Sequence, residues 1–154
     1  MLSDQEQEEI RQLMRQYGTA QAVIPEALKI VQQQNGWVSD EGVEEIADFL
    51  RVSPAEVDSI ATFYNMIFRQ PVGRHVILIC DSVSCWVMGY NPIREHLSAR
   101  LGITLGETTQ DGRFTLLPAV CLGACDHAPA MMIDDDLHGD LTPERMDEIL
   151  DTYA

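Results

Sequence analysis

Cys80-Asp81-Ser82-Val83-Ser84-Cys85 and Cys121-Leu122-Gly123-Ala124-Cys125 hold all four cysteines of this chain. The pattern is C-x4-C, thirty-five residues, then C-x3-C. Thiolates paired this way are the soft donors a metal centre needs, two from each loop. Iron–sulfur clusters take four cysteine thiolates, and two per loop suit a [2Fe–2S] rhomb with one loop per iron. Ser82, Ser84, Gly123 and Ala124 are small enough to leave room for sulfide and to let backbone N–H groups approach it. Zinc also accepts four cysteines at pair spacings of two to four, and it remains the alternative: a site that only holds two loops together. Zinc knuckles more often use C-x2-C, and neither pair here does. The chain contains no C-x-x-C, which weakens a disulfide oxidoreductase. Two structural disulfides would be unusual in a reducing cytosol, and a chain of 154 residues needs no staples.

Other patterns carry less. Asp134-Asp135-Asp136-Leu137-His138-Gly139 resembles the start of a calcium loop, but His138 falls at position five and Arg145 at position twelve, where a bidentate carboxylate is required. The segment reads as a solvated turn. His75, His96, His127 and His138 could suggest a Rieske centre, yet four cysteines make two histidine ligands unnecessary. His127 stands near enough to Cys125 to tune a cluster; a polar surface position is the plainer reading. Met66, Met88, Met131 and Met132 read as core filler. Neither G-x-G-x-x-G nor a Walker pattern is present, so nucleotide chemistry must belong to a partner.

The elements that must position the cysteines change character near residue 70. The first part, 1–70, is helical. Ile10, Leu13, Met14 and Tyr17 share one helix face. A second helix is expected from Pro25 to Gln34, with Asn35-Gly36 as its exit. A third, opened by Ser39 or Asp40, carries Val43, Ile46, Ala47 and Leu50. The fourth starts at the capping box Ser53-Pro54-Ala55-Glu56 and turns Val57, Ile60, Ala61 and Tyr64 inward. So short a helical region makes a marginal core, and it is expected to pack on the remainder of the chain. From 71 to 154, strands and helices alternate. His75 to Cys80 is a continuous apolar run, as in a strand buried on both faces, with Cys85 in the loop after it. A helix follows over 91–101, with Ile93, Leu97 and Leu101 on its stripe. Thr108–Gln110 and Arg113–Leu117 flank the hairpin signal Asp111-Gly112, and Pro118 is expected to end the second of these strands. Met131 to Ile133 reads as a strand, and Thr142-Pro143-Glu144 opens a last helix bearing Met146, Ile149 and Leu150. The order β-α-β-β-α indicates an α/β (α+β) domain. If the two strands leading to the cysteines are neighbours, four sulfurs converge at one sheet edge.

Charge and hydropathy narrow the setting. A net charge of −15 argues against nucleic acid, whose phosphates need clustered Lys and Arg. It suits a solvated acidic surface, or a field that steers a basic partner. No apolar run approaches the roughly 18 residues of a membrane span. The acidic N-terminus is unlike a secretory or transit sequence, so a cytoplasmic location is expected.

With these residues in view, the chain resembles the thioredoxin-like [2Fe–2S] ferredoxin family, and within it the E subunits of bacterial NADH-quinone oxidoreductase (respiratory complex I). Gly36-Trp37-Val38, Ile46-Ala47, Leu50 and Ala61-Thr62-Phe63-Tyr64 are similar to the family's helical region. Gly73-Arg74-His75, Met88-Gly89-Tyr90, Phe114 to Pro118 and Ala128-Pro129 surround the two cysteine pairs in the family's manner. The resemblance implies a four-helix region followed by a thioredoxin-like domain with a mixed sheet. It implies one [2Fe–2S] cluster on Cys80, Cys85, Cys121 and Cys125, and docking on a flavoprotein subunit that holds FMN and NADH. The cluster would exchange single electrons with that flavin, in the peripheral arm of a membrane-bound complex, with no complete active site on this chain alone. NAD-linked formate dehydrogenases and hydrogenases have an equivalent subunit. Val120 and Trp86 depart from the family pattern beside the cysteines without touching the ligand set. A cluster reduced by one electron in a chain of net charge −15 is expected to have a low reduction potential; a clearly positive midpoint in a redox titration would refute this.

Overall fold

The computed structural model describes residues 2–153, which divide into two compact units with the boundary between Pro71 and Val72. The first unit is helical: α1 (Asp4–Tyr17), α2 (Ala20–Asn35), α3 (Asp40–Leu50) and α4 (Pro54–Phe63). Three of the four starts are capped by serine. Ser3 closes a reciprocal capping box with Glu6, Ser39 Oγ accepts from the Gly42 N–H, and Ser53 Oγ accepts from the Glu56 N–H. These caps satisfy N–H groups that a first turn leaves without intrahelical partners. Ile10, Val23, Ile24, Leu28, Ile46 and Val57 lie at the centre of one apolar cluster. Arg69 braces this unit after the last helix. Its guanidinium pairs with Asp40 at 2.6 Å and Asp58 at 2.9 Å, and donates to the Val38 carbonyl.

Two expectations for this unit need correction. α2 begins at Ala20 rather than Pro25, so the proline lies inside the helix. Complete burial of Val23 and Ile24 in the preceding turn outweighs the hydrogen bond that Pro25 cannot donate. Tyr64 is half-exposed instead of buried, because α4 stops at Phe63 and Tyr64 is its extended C-cap, out of helical register. Tyr17, at the end of α1, is also exposed.

The second unit runs β1 (His75–Cys80), α5 (Val83–Met88), α6 (Tyr90–Leu101), β2 (Phe114–Ala119), β3 (Met131–Ile133), β4 (Asp136–His138) and α7 (Pro143–Thr152). The sheet order is β2-β1-β3-β4. β1 is central and buried from Val76 to Cys80, as its apolar run predicts. It pairs parallel with β2 and antiparallel with β3, which gives a mixed sheet. Ile77 and Ile79 of β1, Leu116 of β2, and Met131 and Ile133 of β3 share one core with Ile93 and Leu97 of α6 and Met146 and Leu150 of α7. Among the described residues no helix is long and apolar enough to cross a membrane.

Here too the local expectations shift. Pro118 does not end β2; the strand runs on to Ala119. β2 is an edge strand, where a missing N–H can face outward and break no ladder. The strand expected before Asp111-Gly112 shrinks to one bridge between Thr108 and Thr115. Thr109 Oγ1 and Asp111 Oδ1 accept the Arg113 N–H, and Thr109 Oγ1 also accepts the Phe114 N–H. Side chains thereby compete with the ladder for its donors. β4 occupies what reads in sequence as a plain turn. The turn itself is Asp134–Asp135, and Asp134 Oδ1 accepts the Val76 N–H at 2.9 Å.

α7 is tied to the sheet at its far end. The Tyr153 hydroxyl donates to Asp136 at 2.8 Å, and Arg113 Nε donates to the Tyr153 carbonyl at 2.8 Å. Burial, and then the Asp136 hydrogen bond, push the Tyr153 phenol up to about 12. A phenol with a raised folded-state pKa stabilises the fold fully below its ordinary value of about 10, and that contribution is lost as pH climbs through about 12. In an ultraviolet titration of the folded protein one tyrosine is therefore expected to ionise near pH 12. Asp136→Asn should move that midpoint downward; an unchanged midpoint would show that the hydrogen bond contributes nothing.

Candidate metal centre

Strand pairing decides where the thiols stand. In the parallel register Cys80 lies opposite Ala119, the last residues of β1 and β2. Cys121 follows two residues beyond Ala119, so both cysteine-bearing segments leave the sheet at the same end. The expectation that the two strands are neighbours holds, and their pairing continues one bond past the strand ends: the Asp81 N–H donates to the Ala119 carbonyl at 2.9 Å. On the other side of β1, the Cys80 N–H donates to the carbonyl of Ala130, just before β3, at 3.1 Å.

Cys85 is not in a loop. It sits in α5, a helix of six residues, where it is 1 % exposed. Its helical neighbours point outward: Val83 and Val87 are each 72 % exposed, Trp86 and Met88 each 61 %. One turn of helix is thus inverted, with its cysteine inside and its large apolar side chains in solvent. Six residues are too few for a helical period to register in the sequence. Cys80 and Cys85 form a small cluster with Ala128 and Ala130, packed by Leu122 and Ala124. The first cysteine pair therefore meets residues of the second loop.

The second pair is placed differently. Cys121 and Cys125 are both exposed. Gly123, in the left-handed conformation at φ 78°, turns its N–H onto Cys121 Sγ at 3.4 Å. Only glycine adopts that backbone without strain. Cys125 opens a single 3-10 turn, Cys125–His127, closed by the His127 N–H donating to the Ala124 carbonyl at 3.0 Å. His127 is exposed and hydrogen-bonded to Asp140 at 2.8 Å. Its pKa is raised, first by that bond and then by the charges of Asp126 and Asp140. The other histidines are remote from this chemistry in their pairings: His75 with Asp134, His96 with Asp147, His138 with Tyr153.

Burial pushes the Cys85 thiol up to about 11, and the hydrogen bond it donates to Cys80 adds to this. The Ala130 N–H, directed at the Cys85 sulfur, works the other way, while the charges of Cys80 and Cys125 raise the pKa further. Ala130 carries no signal in the sequence, because its role is entirely backbone. A buried thiol with a raised pKa, such as Cys85, exchanges its proton for a cation more readily than it ionises in isolation. Backbone N–H groups already directed at Cys85 and Cys121 are the hydrogen bonds an iron–sulfur cluster accepts on its sulfurs. The donor set fits such a cluster. Among the described residues no group of three or more His, Cys, Asp or Glu side chains is gathered within reach of one ion. A two-iron cluster asks for two thiolates at each iron.

Comparison with known proteins agrees with this chemistry. The model of the thioredoxin-like [2Fe-2S] ferredoxin family matches residues 10–154. The chain is 53% identical over 152 residues to the E subunit of NADH-quinone oxidoreductase from Escherichia coli (strain K12), covering 99% of this chain and 92% of that one. It is 49% identical over 154 residues to the protein of the same name from Pseudomonas aeruginosa, covering 100% and 93%. Among solved structures it resembles an NAD+-reducing [NiFe]-hydrogenase in the air-oxidised state, with TM-score 0.67 and 25% identity over 87% of this chain; it spans 22% of that hydrogenase chain.

The burial difference predicts an order of reactivity in metal-free, reduced protein. Iodoacetamide at neutral pH should modify Cys121 and Cys125 first and Cys80 and Cys85 last, since burial keeps the reagent from the first pair's sulfurs and also disfavours the Cys85 thiolate. Peptide mapping of a time course reads this directly; equal rates at all four would contradict the buried placement of the first pair.

Proposed function

This chain belongs to the thioredoxin-like [2Fe-2S] ferredoxin family, and on that premise we propose that it is the electron-transfer subunit of an NADH-quinone oxidoreductase, with Cys80, Cys85, Cys121 and Cys125 as the ligands of one [2Fe–2S] cluster. The observation that carries this reading is the parallel register of β1 and β2, which sends both cysteine pairs off one end of the sheet. Near-complete coverage of relatives named as E subunits supports the choice of parent complex. What such a cluster supplies, when bound, is one-electron exchange, here with the FMN of an NADH-binding flavoprotein subunit.

The chain's own residues hold and shield. Cys80 and Cys85 present thiols from a dry, alanine-lined interior. Cys121 and Cys125 present theirs from the outer side, where a partner surface can cover them. Val83, Trp86, Val87, Met88 and Val120 form an exposed apolar rim around those segments, the composition of a docking face. In the helical region, 1–70, Phe63, Tyr64 and Met66 are exposed apolar side chains at the end of α4. They support a role for that region in docking on the same flavoprotein. We place the chain on the cytoplasmic side, in the peripheral arm of the complex. No nucleotide-binding motif is present in its sequence, so NADH chemistry is assigned to the partner and no complete active site to this chain.

A second reading, the equivalent subunit of an NAD-linked hydrogenase, is favoured by the solved-structure likeness. Lower identity and the small share of the hydrogenase chain covered put it behind the first. Paramagnetic resonance of dithionite-reduced protein, with iron and acid-labile sulfide measured on the same sample, tests the cluster. A single [2Fe–2S] signal is expected, and Cys121→Ser should shift or abolish it. Zinc without iron or sulfide would sink the proposal. Capture of the native complex should then recover a flavoprotein together with quinone-reducing subunits; hydrogenase subunits in their place would select the second reading.

A further inference from the structure

The connector between β4 and α7 lies against the turn that carries Cys125, and it is tied there by every residue from Gly139 to Leu141. An added Cβ on Gly139 would stand 2.5 Å from His127 Cβ and 2.8 Å from the His127 carbonyl oxygen, so only a residue without a side chain fits. The Asp140 N–H donates to that same carbonyl at 2.6 Å. The Asp140 carboxylate meets His127 Nδ1 at 2.8 Å. The Leu141 N–H donates to the Pro129 carbonyl at 3.2 Å, and the Leu141 side chain is buried. Asp140 holds the left-handed conformation, φ 51°, a region that aspartate, asparagine and glycine enter most easily.

The segment so gripped, 125–130, touches both halves of the thiol set. It begins with Cys125. It ends at Ala130, whose carbonyl accepts the Cys80 N–H and whose N–H is directed at Cys85. Cys125 itself opens a single exposed 3-10 turn, and the buried residues of the segment, Ala128 and Ala130, lie three or more positions after it. We propose that Gly139-Asp140-Leu141 is a positioning strap for the cluster's second ligand loop, and that Asp140 acts as a positioning residue for Cys125 through His127. The inference rests on the ligand set proposed above. The strap directs its hydrogen bonds to His127 and Pro129 and not to a sulfur. It sets where the Cys125 sulfur stands by fixing the peptide that follows it, as outer partners do for metal ligands generally.

Three variants of the full chain test this. Asp140→Gly keeps the left-handed backbone and removes the carboxylate. Asp140→Asn keeps an oxygen that can accept from Nδ1. Gly139→Ala drives a methyl into His127. Each is loaded with iron and sulfide and compared with the parent in three measurements: the resonance g-values and line widths after reduction, the rate of iron release to a chelator, and the melting temperature. Asp140→Gly should broaden or shift the signal and release iron about three- to tenfold faster, the order of one lost hydrogen bond. Asp140→Asn should restore most of both. Gly139→Ala should exceed Asp140→Gly in both effects. A parent-like spectrum and release rate in Asp140→Gly would overturn the proposal. So would an Asp140→Asn variant as impaired as the glycine variant, or a loss of melting temperature with no spectral change. A parent protein lacking any [2Fe–2S] signal would instead overturn the ligand assignment.

Discussion

The parallel pairing of β1 with β2 is the constraint on which the rest of the molecule's chemistry depends. Parallel strands cannot be joined by a tight turn; they need a crossover. Here the crossover contains α5 and α6, so the chain must leave β1 at Cys80, form the turn of helix that carries Cys85, and return along α6 before β2 begins. The register then sets Cys80 beside Ala119. A slip of one residue would turn every β2 side chain to the opposite face. Leu116, now wholly buried, opposes such a slip. Hydrophobic register and thiol placement are thus one specification.

Around that edge the two cysteine pairs are held by opposite means. The first is held by burial, since Cys80 and Cys85 are packed with alanine and leucine side chains. The second is held by backbone hydrogen bonds on exposed segments: Gly123 onto Cys121, His127 onto Ala124, and the β4–α7 connector onto His127 and Pro129. Burial alone gives placement without solvent access, and hydrogen-bonded turns alone give access without stiffness. A redox centre that must both persist and meet a partner needs one side of each kind. Among the described residues no buried side-chain nitrogen or oxygen lacks a hydrogen-bond partner, so the interior imposes no polar penalty against this arrangement.

Much of the fold is legible in the sequence, for reasons that are local. The apolar run of β1 reads as a strand buried on both faces, and it is one. Ser39, Ser53 and Thr142 mark helix starts because their side chains bond N–H groups within three residues. The features that escape a sequence reading were decided by distant neighbours. Pro25 sits inside α2 because Val23 and Ile24 reach a core built from the other helices. Pro118 lies within β2 because β2 happens to be an edge strand. β4 exists only because β3 offers an edge for three residues to pair with. α5 is too short to announce itself, and its exposed valines and tryptophan run against any core-seeking pattern.

The sequence by itself determined the kind and number of the candidate ligands and their grouping in two pairs. Soft-donor chemistry resides in residue type, and pair spacing resides in consecutive peptide bonds; neither needs a fold to be read. Only the tertiary structure decided that the two pairs share an edge, that Cys85 faces inward from a helical turn, that Ala130 directs its N–H at that thiol, and that Gly139 must lack a side chain to lie against His127. These are relations between residues far apart in the chain. Strand pairing and burial set them, and no local preference encodes either.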